Sequence, residues 1–318
     1  MRSLTIIFLI FLLVSCSKTK PEEVNEAIDV AQTYLSESEC QKAINLLEDV
    51  GRQNEDAIYL QVLASAYACK ADFREVNFIS NDLEDIDSGS VTDLMKSLTL
   101  LSLSNETEAD STEYVSILTA MEVLLESNGA TQPSHTSRVS TYGSRKAGDM
   151  GIQNLLLSIV QLGKFLNYYG NVDNSGTKGA GVDGTNSCFL NYSYVSAQTV
   201  ISALPGSNNC SSNNSGHSDL DLTTTAGKRR ACEGLMLFTN LVDVLTNIDL
   251  SGDDTFGSLT AVSTLASNLK TAVVSVSPAL ATLMDTTSQS VCEDTLASAS
   301  EVNNMQLIYA LLFETGLE

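Results

Sequence analysis

From residue 21 to the C-terminus the apolar residues of this chain recur at intervals of three and four, and no segment alternates apolar with polar over enough residues to build a sheet. That pattern restricts the fold to packed helices. Val24, Ala27, Ile28, Ala31 and Tyr34 share one stripe, and Ala43, Ile44, Leu47 and Val50 share the next, with Ser36-Glu37-Ser38-Glu39 as the turn between them. Further helices are expected at Val91–Leu103, Glu113–Ser127, Gly151–Tyr169, Tyr192–Leu204, Thr225–Ile248, Phe256–Val276, Pro278–Met284 and Ser300–Leu317. The expected class is all-α.

Charge narrows what such a fold can bind. The 318 residues hold 17 basic and 39 acidic side chains, a formal charge of −22. Phosphate backbones need a basic footprint, so nucleic acid is excluded as a partner, and an anionic lipid surface is disfavoured on the same ground. The acid is spread along the chain, densest from Asp72 to Asp93 and again from Glu106 to Glu113. It reads as a solvated face that keeps the protein soluble, with a docking surface for a basic partner as the alternative.

The N-terminus has the pattern of an export signal. Met1-Arg2-Ser3 leads into an apolar run from Leu4 to Val14, too short to span a bilayer as a mature helix, and Leu13-Val14-Ser15-Cys16 follows. An aliphatic residue three before the cysteine, a small residue just before it and the polar tail Ser17-Lys18-Thr19-Lys20-Pro21 after it resemble bacterial lipoproteins. The resemblance implies removal of residues 1–15 and acylation of Cys16, with residues 16–22 as the lipidated tether and the membrane as a partner. It also implies a lipid-anchored protein of the cell envelope, with Ser17 pointing to the outer membrane and a location facing the periplasm or the cell surface. An ordinary signal peptide is the alternative reading.

Residues 27–47 also resemble a tetratricopeptide repeat, through Ala27, Val30, Ala31 and Tyr34 followed by Ala43 and Leu47. Leu60, Leu63, Ala64 and Tyr67 repeat the first helix 33 residues on, and Asp72, Phe73 and Val76 begin a less faithful second one. The repeat Trp and Gly are replaced, and neither copy ends in Pro. Ala31, Ala43 and Ala64 would let helices approach closely, while Tyr34 and Tyr67 fill the grooves between them. The expected organisation is a tetratricopeptide-like region at 23–128, a polar linker at 129–146 containing Pro133, and a helical bundle at 147–318 with long Gly/Asn/Ser loops. The fold expected is therefore tetratricopeptide-like hairpins followed by an irregular, disulfide-stapled bundle.

Beyond Cys16 stand Cys40, Cys69, Cys188, Cys210, Cys232 and Cys292, an even number that in an exported chain reads as disulfides. No pair has CxxC spacing. In stacked hairpins the second helix of one repeat runs antiparallel to the first helix of the next, which brings Cys40 and Cys69 to the same end of a packed pair. For the other four, proximity suggests Cys188 with Cys210 and Cys232 with Cys292.

Catalytic chemistry finds little support. His135 and His217 sit in polar, loop-like sequence and read as solvated, and no nucleophile elbow, zinc helix, P-loop or dinucleotide fingerprint occurs. Asp249 to Thr255 spaces oxygens as a calcium loop does, but Asp254 and Thr260 occupy the positions that need Gly and Glu. No metal, cofactor or catalytic residue is assigned. The basic residues Lys228-Arg229-Arg230, with Arg138, Arg145 and Lys146, read as internal ion-pair partners, an anion site being the alternative. The repeats imply a non-enzymatic adaptor or assembly factor acting on an unidentified envelope protein. The alternative is a ligand-binding accessory lipoprotein of a periplasmic transporter, in which Gly151–Tyr169 and Leu235–Ile248 line a cavity.

Overall fold

The computed structural model describes residues 20–101, 110–179, 186–204, 210, 215–248 and 257–317; the leader, Cys16 and the calcium-like stretch lie outside them. The fold is all-α. Helices α1 (Lys20–Ser36) and α2 (Cys40–Asp49) form a hairpin whose turn needs a positive φ of 60° at Ser38. Asp56 starts α3 (Ala57–Lys70) by accepting the Ile58 and Tyr59 amides at 2.9 and 3.2 Å, which satisfies donors a helix start leaves unpaired. Helix α3 packs against both α1 and α2.

The same capping logic sets the later helices. Ser90 caps α4 (Val91–Leu100), Ser111 caps α5 (Thr112–Leu125), and Ser134 and Ser137 form a reciprocal capping box at α6 (His135–Tyr142). Then come α7 (Ser144–Tyr169), α8 (Val195–Ala203), α9 (Thr225–Asn247, capped by Thr224), α10 (Gly257–Val276), α11 (Gln289–Thr295, capped by Ser288) and α12 (Ala299–Tyr309). A π-helical segment, Ala310–Glu314, continues α12. Two very short strands, Asn186–Cys188 and Ser215–Gly216, pair in parallel.

Helix α7 is the central element, packed against α3, α4, α5, α6 and α9. It is buried nearly all round, including the polar Gln153, Asn154, Gln161 and Lys164. Gly234 lets α9 lie close to it, because a Cβ there would meet the Phe165 ring at 2.1 Å and the Tyr309 hydroxyl at 2.7 Å. Helix α10 is long and apolar enough to cross a membrane by length and composition, yet its stripe of Leu259, Val262, Ala266 and Val273 packs into the protein core. Three disulfides join Cys40 to Cys69, Cys188 to Cys210 and Cys232 to Cys292.

Three sequence expectations are corrected here. The stretch 129–146, read as a linker, contains α6 and the start of α7, and one hydrophobic core runs from Val24 to Leu317 across it. Its helix hides polar residues: His135 and Arg138 point inward, where Asp243 accepts the His135 amide at 2.9 Å and lies 3.9 Å from the Arg138 guanidinium. The second helix of the second repeat copy breaks up, with a turn at Glu75–Asn77, a π segment at Phe78–Asp82 and a 3-10 turn at Leu83–Asp85. The buried Phe73, Phe78 and Leu83 are five residues apart, a spacing an unbroken α-helix cannot keep on one face. Helix α11 falls in a segment for which no helix was expected.

Candidate functional site

Residues far apart in sequence converge on a cleft of about 570 Å³ between the C-terminal half of α5, the stretch of α9 from Arg229 to Asn240, and α11. Met121 and Leu125 from α5, with Met236 and Leu237 from α9, form an apolar floor. Glu122, Glu126, Glu293 and the buried Glu233 line the cleft together with Arg52 and Arg229. Gly129, Ala130 and Pro133, from the segment read as a linker, make part of the rim.

Each wall is fixed by identifiable contacts. The disulfide between Cys232 and Cys292 ties α9 to α11 beside Glu233 and Glu293. Gln289 reinforces it, donating to the Arg229 carbonyl at 2.8 Å and to Glu293 at 2.7 Å. On the other side, Arg52 donates to Asn54 Oδ1 at 3.0 Å and to the Val123 carbonyl at 3.3 Å, and the Asn128 amide donates to the Asn54 carbonyl at 3.2 Å. The Tyr142 hydroxyl donates to that same carbonyl.

Electrostatics at the cleft are set by burial and crowding. Glu233, almost fully buried, accepts hydrogen bonds from the Tyr114 hydroxyl and from Arg230 Nη1 at 2.9 Å, and Arg230 also bridges to Asp110 at 2.9 Å. Desolvation nevertheless holds the Glu233 pKa above the usual carboxylate value, with Arg230 and Tyr114 pulling it down. Glu122 keeps solvent contact at the mouth, and desolvation against the wall, then the Glu126 and Glu233 charges, raise its pKa.

Asn240 completes the cleft. It is 3% exposed, and its Nδ2 donates to the Met236 and Thr287 carbonyls at 2.9 and 3.1 Å, which fixes the amide orientation. Its Oδ1 therefore stands as a buried acceptor with no protein donor. A buried polar atom left so is unfavourable by roughly 1–3 kcal/mol.

The residues singled out in the sequence occupy other places. Ala31, Ala43 and Ala64 are fully buried where α1, α2 and α3 meet. Tyr34 and Tyr67 are half-buried at the edge: the Lys42 ammonium lies 5.6 Å from the Tyr34 ring centre, and the Tyr67 hydroxyl donates to Glu48. Both histidines correct the solvated reading. His135 is buried at the first position of α6, and His217 is buried with its ring 5.0 and 4.9 Å from those of Tyr168 and Tyr169. Arg230 and Arg138 pair internally, and Lys228 donates to the Leu296 carbonyl at 2.8 Å. Cys188, Cys210 and Glu314 bring potential ligand atoms within 4.8 Å of one another, but the sulfurs are bonded to each other and Glu314 is paired with Lys178.

The cleft itself was not read from the sequence. No local pattern marks it: Asn240 is one of three polar residues, with Thr239 and Asp243, in the run Leu235–Leu245. Fold and site together define an all-α, disulfide-stapled protein with a preformed cleft lined by apolar residues and four glutamates. No protein-family model matches the chain, and neither a curated protein nor a solved structure matches it.

Proposed function

We propose that this is a non-enzymatic binding lipoprotein of the bacterial cell envelope, tethered through Cys16, which takes a small ligand into the cleft between α5, α9 and α11. The observation that carries the reading is the apolar-floored cleft of about 570 Å³, a volume in the range of small-molecule sites, with α9 and α11 held beside it by the bridge between Cys232 and Cys292. Three disulfides support an oxidising compartment outside the cytoplasm, and the Leu13-Val14-Ser15-Cys16 sequence supports the anchor. The ligand site differs from the one the sequence suggested, since α9 contributes to it and α7 does not.

Two experiments test this. Metabolic labelling with an alkyne fatty acid should mark the wild type and leave Cys16→Ala unlabelled; absence of label on the wild type would remove the anchor. Native mass spectrometry of the protein taken from its own envelope should show a small non-covalent adduct. Ala130→Trp, which fills the cleft from a partly exposed rim position, should lose it. A bare mass in the wild type would overturn the binding reading.

A second reading, a tetratricopeptide-like adaptor, is favoured by the exposed Val30 on α1 and Ile58 on α3, 37% and 48% accessible. Charge reversal at the exposed Glu84 and Asp85 should weaken capture of an envelope partner if that reading holds. Glu75 is unsuited to the test, because it is half-buried and desolvation raises its pKa.

A further inference from the structure

Between Asn128 and Tyr142 the chain leaves the body of the protein and returns to the same point. The Asn128 amide and the Tyr142 hydroxyl both donate to the Asn54 carbonyl, and Asn128 Nδ2 donates to Thr141 Oγ1 at 2.6 Å. A surface loop whose ends are pinned together can turn about that pin without moving its neighbours. Gly129 and Gly143 stand at the two ends with φ of 72° and 79°, and a Cβ at either would meet nothing within 4 Å. Between them the loop carries α6 and the part of the cleft rim formed by Gly129, Ala130, Thr131 and Pro133.

What docks this loop is polar and incomplete. Helix α6 fully buries only His135 and Arg138, while Val139 and Tyr142 are half-buried. Both buried residues meet Asp243 of α9, which accepts the His135 amide at 2.9 Å and lies 3.9 Å from the Arg138 guanidinium. No nitrogen of that guanidinium has a hydrogen-bond acceptor, and His135 Nδ1 has no partner. Undocking breaks one hydrogen bond and one long ion pair, and it hydrates donors that the docked state leaves unmet, which places the loop at the low-stability end of the fold. Resting on the small-ligand reading above, we infer that residues 129–143 are a flap, pinned at Asn54 and latched on Asp243, whose opening admits ligand to the cleft and whose closing restores the rim. Arg138 and Asp243 set how often it opens and touch nothing the cleft holds.

Amide hydrogen exchange by NMR on the intact, oxidised protein tests this. Helix α6 has eight residues, too few to persist alone, so its amides exchange once it undocks. The His135, Arg138 and Gly143 amides, bonded respectively to Asp243, the Ser134 carbonyl and the Val139 carbonyl, should share one protection factor, about tenfold or more below those of α5 and α7. Asp243→Ala should lower that shared value about tenfold further, and Arg138→Met, which removes the unmet donors and keeps the His135 bond, should raise it. The Arg138→Met comparison decides even if Asp243→Ala loosens the whole fold. Protein carrying its native adduct should show higher flap protection than the same protein stripped of it. Flap amides as protected as those of α7, or three unequal values, would overturn the flap. Equal flap protection with and without the adduct would overturn its part in ligand entry and leave the ligand site standing. A bare native mass beside a flap that opens as described would overturn the ligand reading, and the gating role with it.

Discussion

The Lys178 ammonium lies 2.7 Å from the Glu314 carboxylate, and both side chains are withdrawn from solvent. Burial of such a pair is tolerable only when the remaining polar atoms are satisfied. Here Glu314 Oε1 accepts from the Phe189 amide and the Tyr192 hydroxyl, each at 2.8 Å, and Lys178 donates to the Ser187 carbonyl. The pair therefore ties the loop after α7 and the segment around Cys188 to the C-terminal helix.

Removing one partner leaves an uncompensated buried charge. Glu314→Ala should lower the unfolding free energy by about 3–5 kcal/mol, read by urea titration followed by circular dichroism. Lys178→Met with Glu314→Leu should recover most of that loss. A single-variant loss below about 1 kcal/mol would show that the pair does not hold the loop.

The bridge between Cys232 and Cys292 spans 60 residues of sequence. In the chain-entropy account its removal by Cys232→Ala with Cys292→Ala should cost about 4 kcal/mol. Because the bridge also holds two cleft walls together, the native-mass adduct should be lost under conditions where the variant remains folded. A retained adduct would mean the walls are positioned by packing alone.

His135 makes stability depend on pH with a definite sign. Burial, then the Arg138 charge, lower its pKa below 6.5, with Asp243 opposing. The folded state thus favours the neutral ring while the unfolded chain protonates near 6.5, so this contribution is intact above 6.5 and is lost as pH falls through the folded value. Melting temperature should drop more steeply from pH 7.5 to 5.5 in the wild type than in His135→Gln. The raised Glu122 and Glu233 act in the opposite direction but are common to both proteins. Parallel pH profiles would contradict the assignment.

Gly234→Ala should be destabilising although alanine favours helices, because the added methyl meets Phe165 and Tyr309. A loss of about 1–3 kcal/mol in denaturant titration is expected from overpacking. A gain would mean that α9 can move away from α7 at no cost.

The helical stripes were legible because burial on one face leaves a three-and-four spacing, as at Val24, Ala27, Ile28 and Ala31. Short polar helices leave no such trace. Helix α6 has eight residues, and among the residues it turns inward are His135 and Arg138, which composition alone assigns to solvent. After Asp72 the five-residue spacing of buried rings defeats a helical reading altogether. The cleft was illegible for a different reason. Arg52, Glu122, Asn240 and Gln289 come from segments that only tertiary packing brings together, and no local pattern records which surfaces the packing leaves open.

Methionine methyl NMR gives the most direct test of the binding site, because Met121 and Met236 line the cleft while Met95, Met150, Met284 and Met305 lie elsewhere in the core. Between methyl-labelled protein carrying its native adduct and the same protein stripped of it, the Met121 and Met236 resonances should differ while the other four hold their positions. If Met121 and Met236 are the same in both forms, the cleft is not a ligand site.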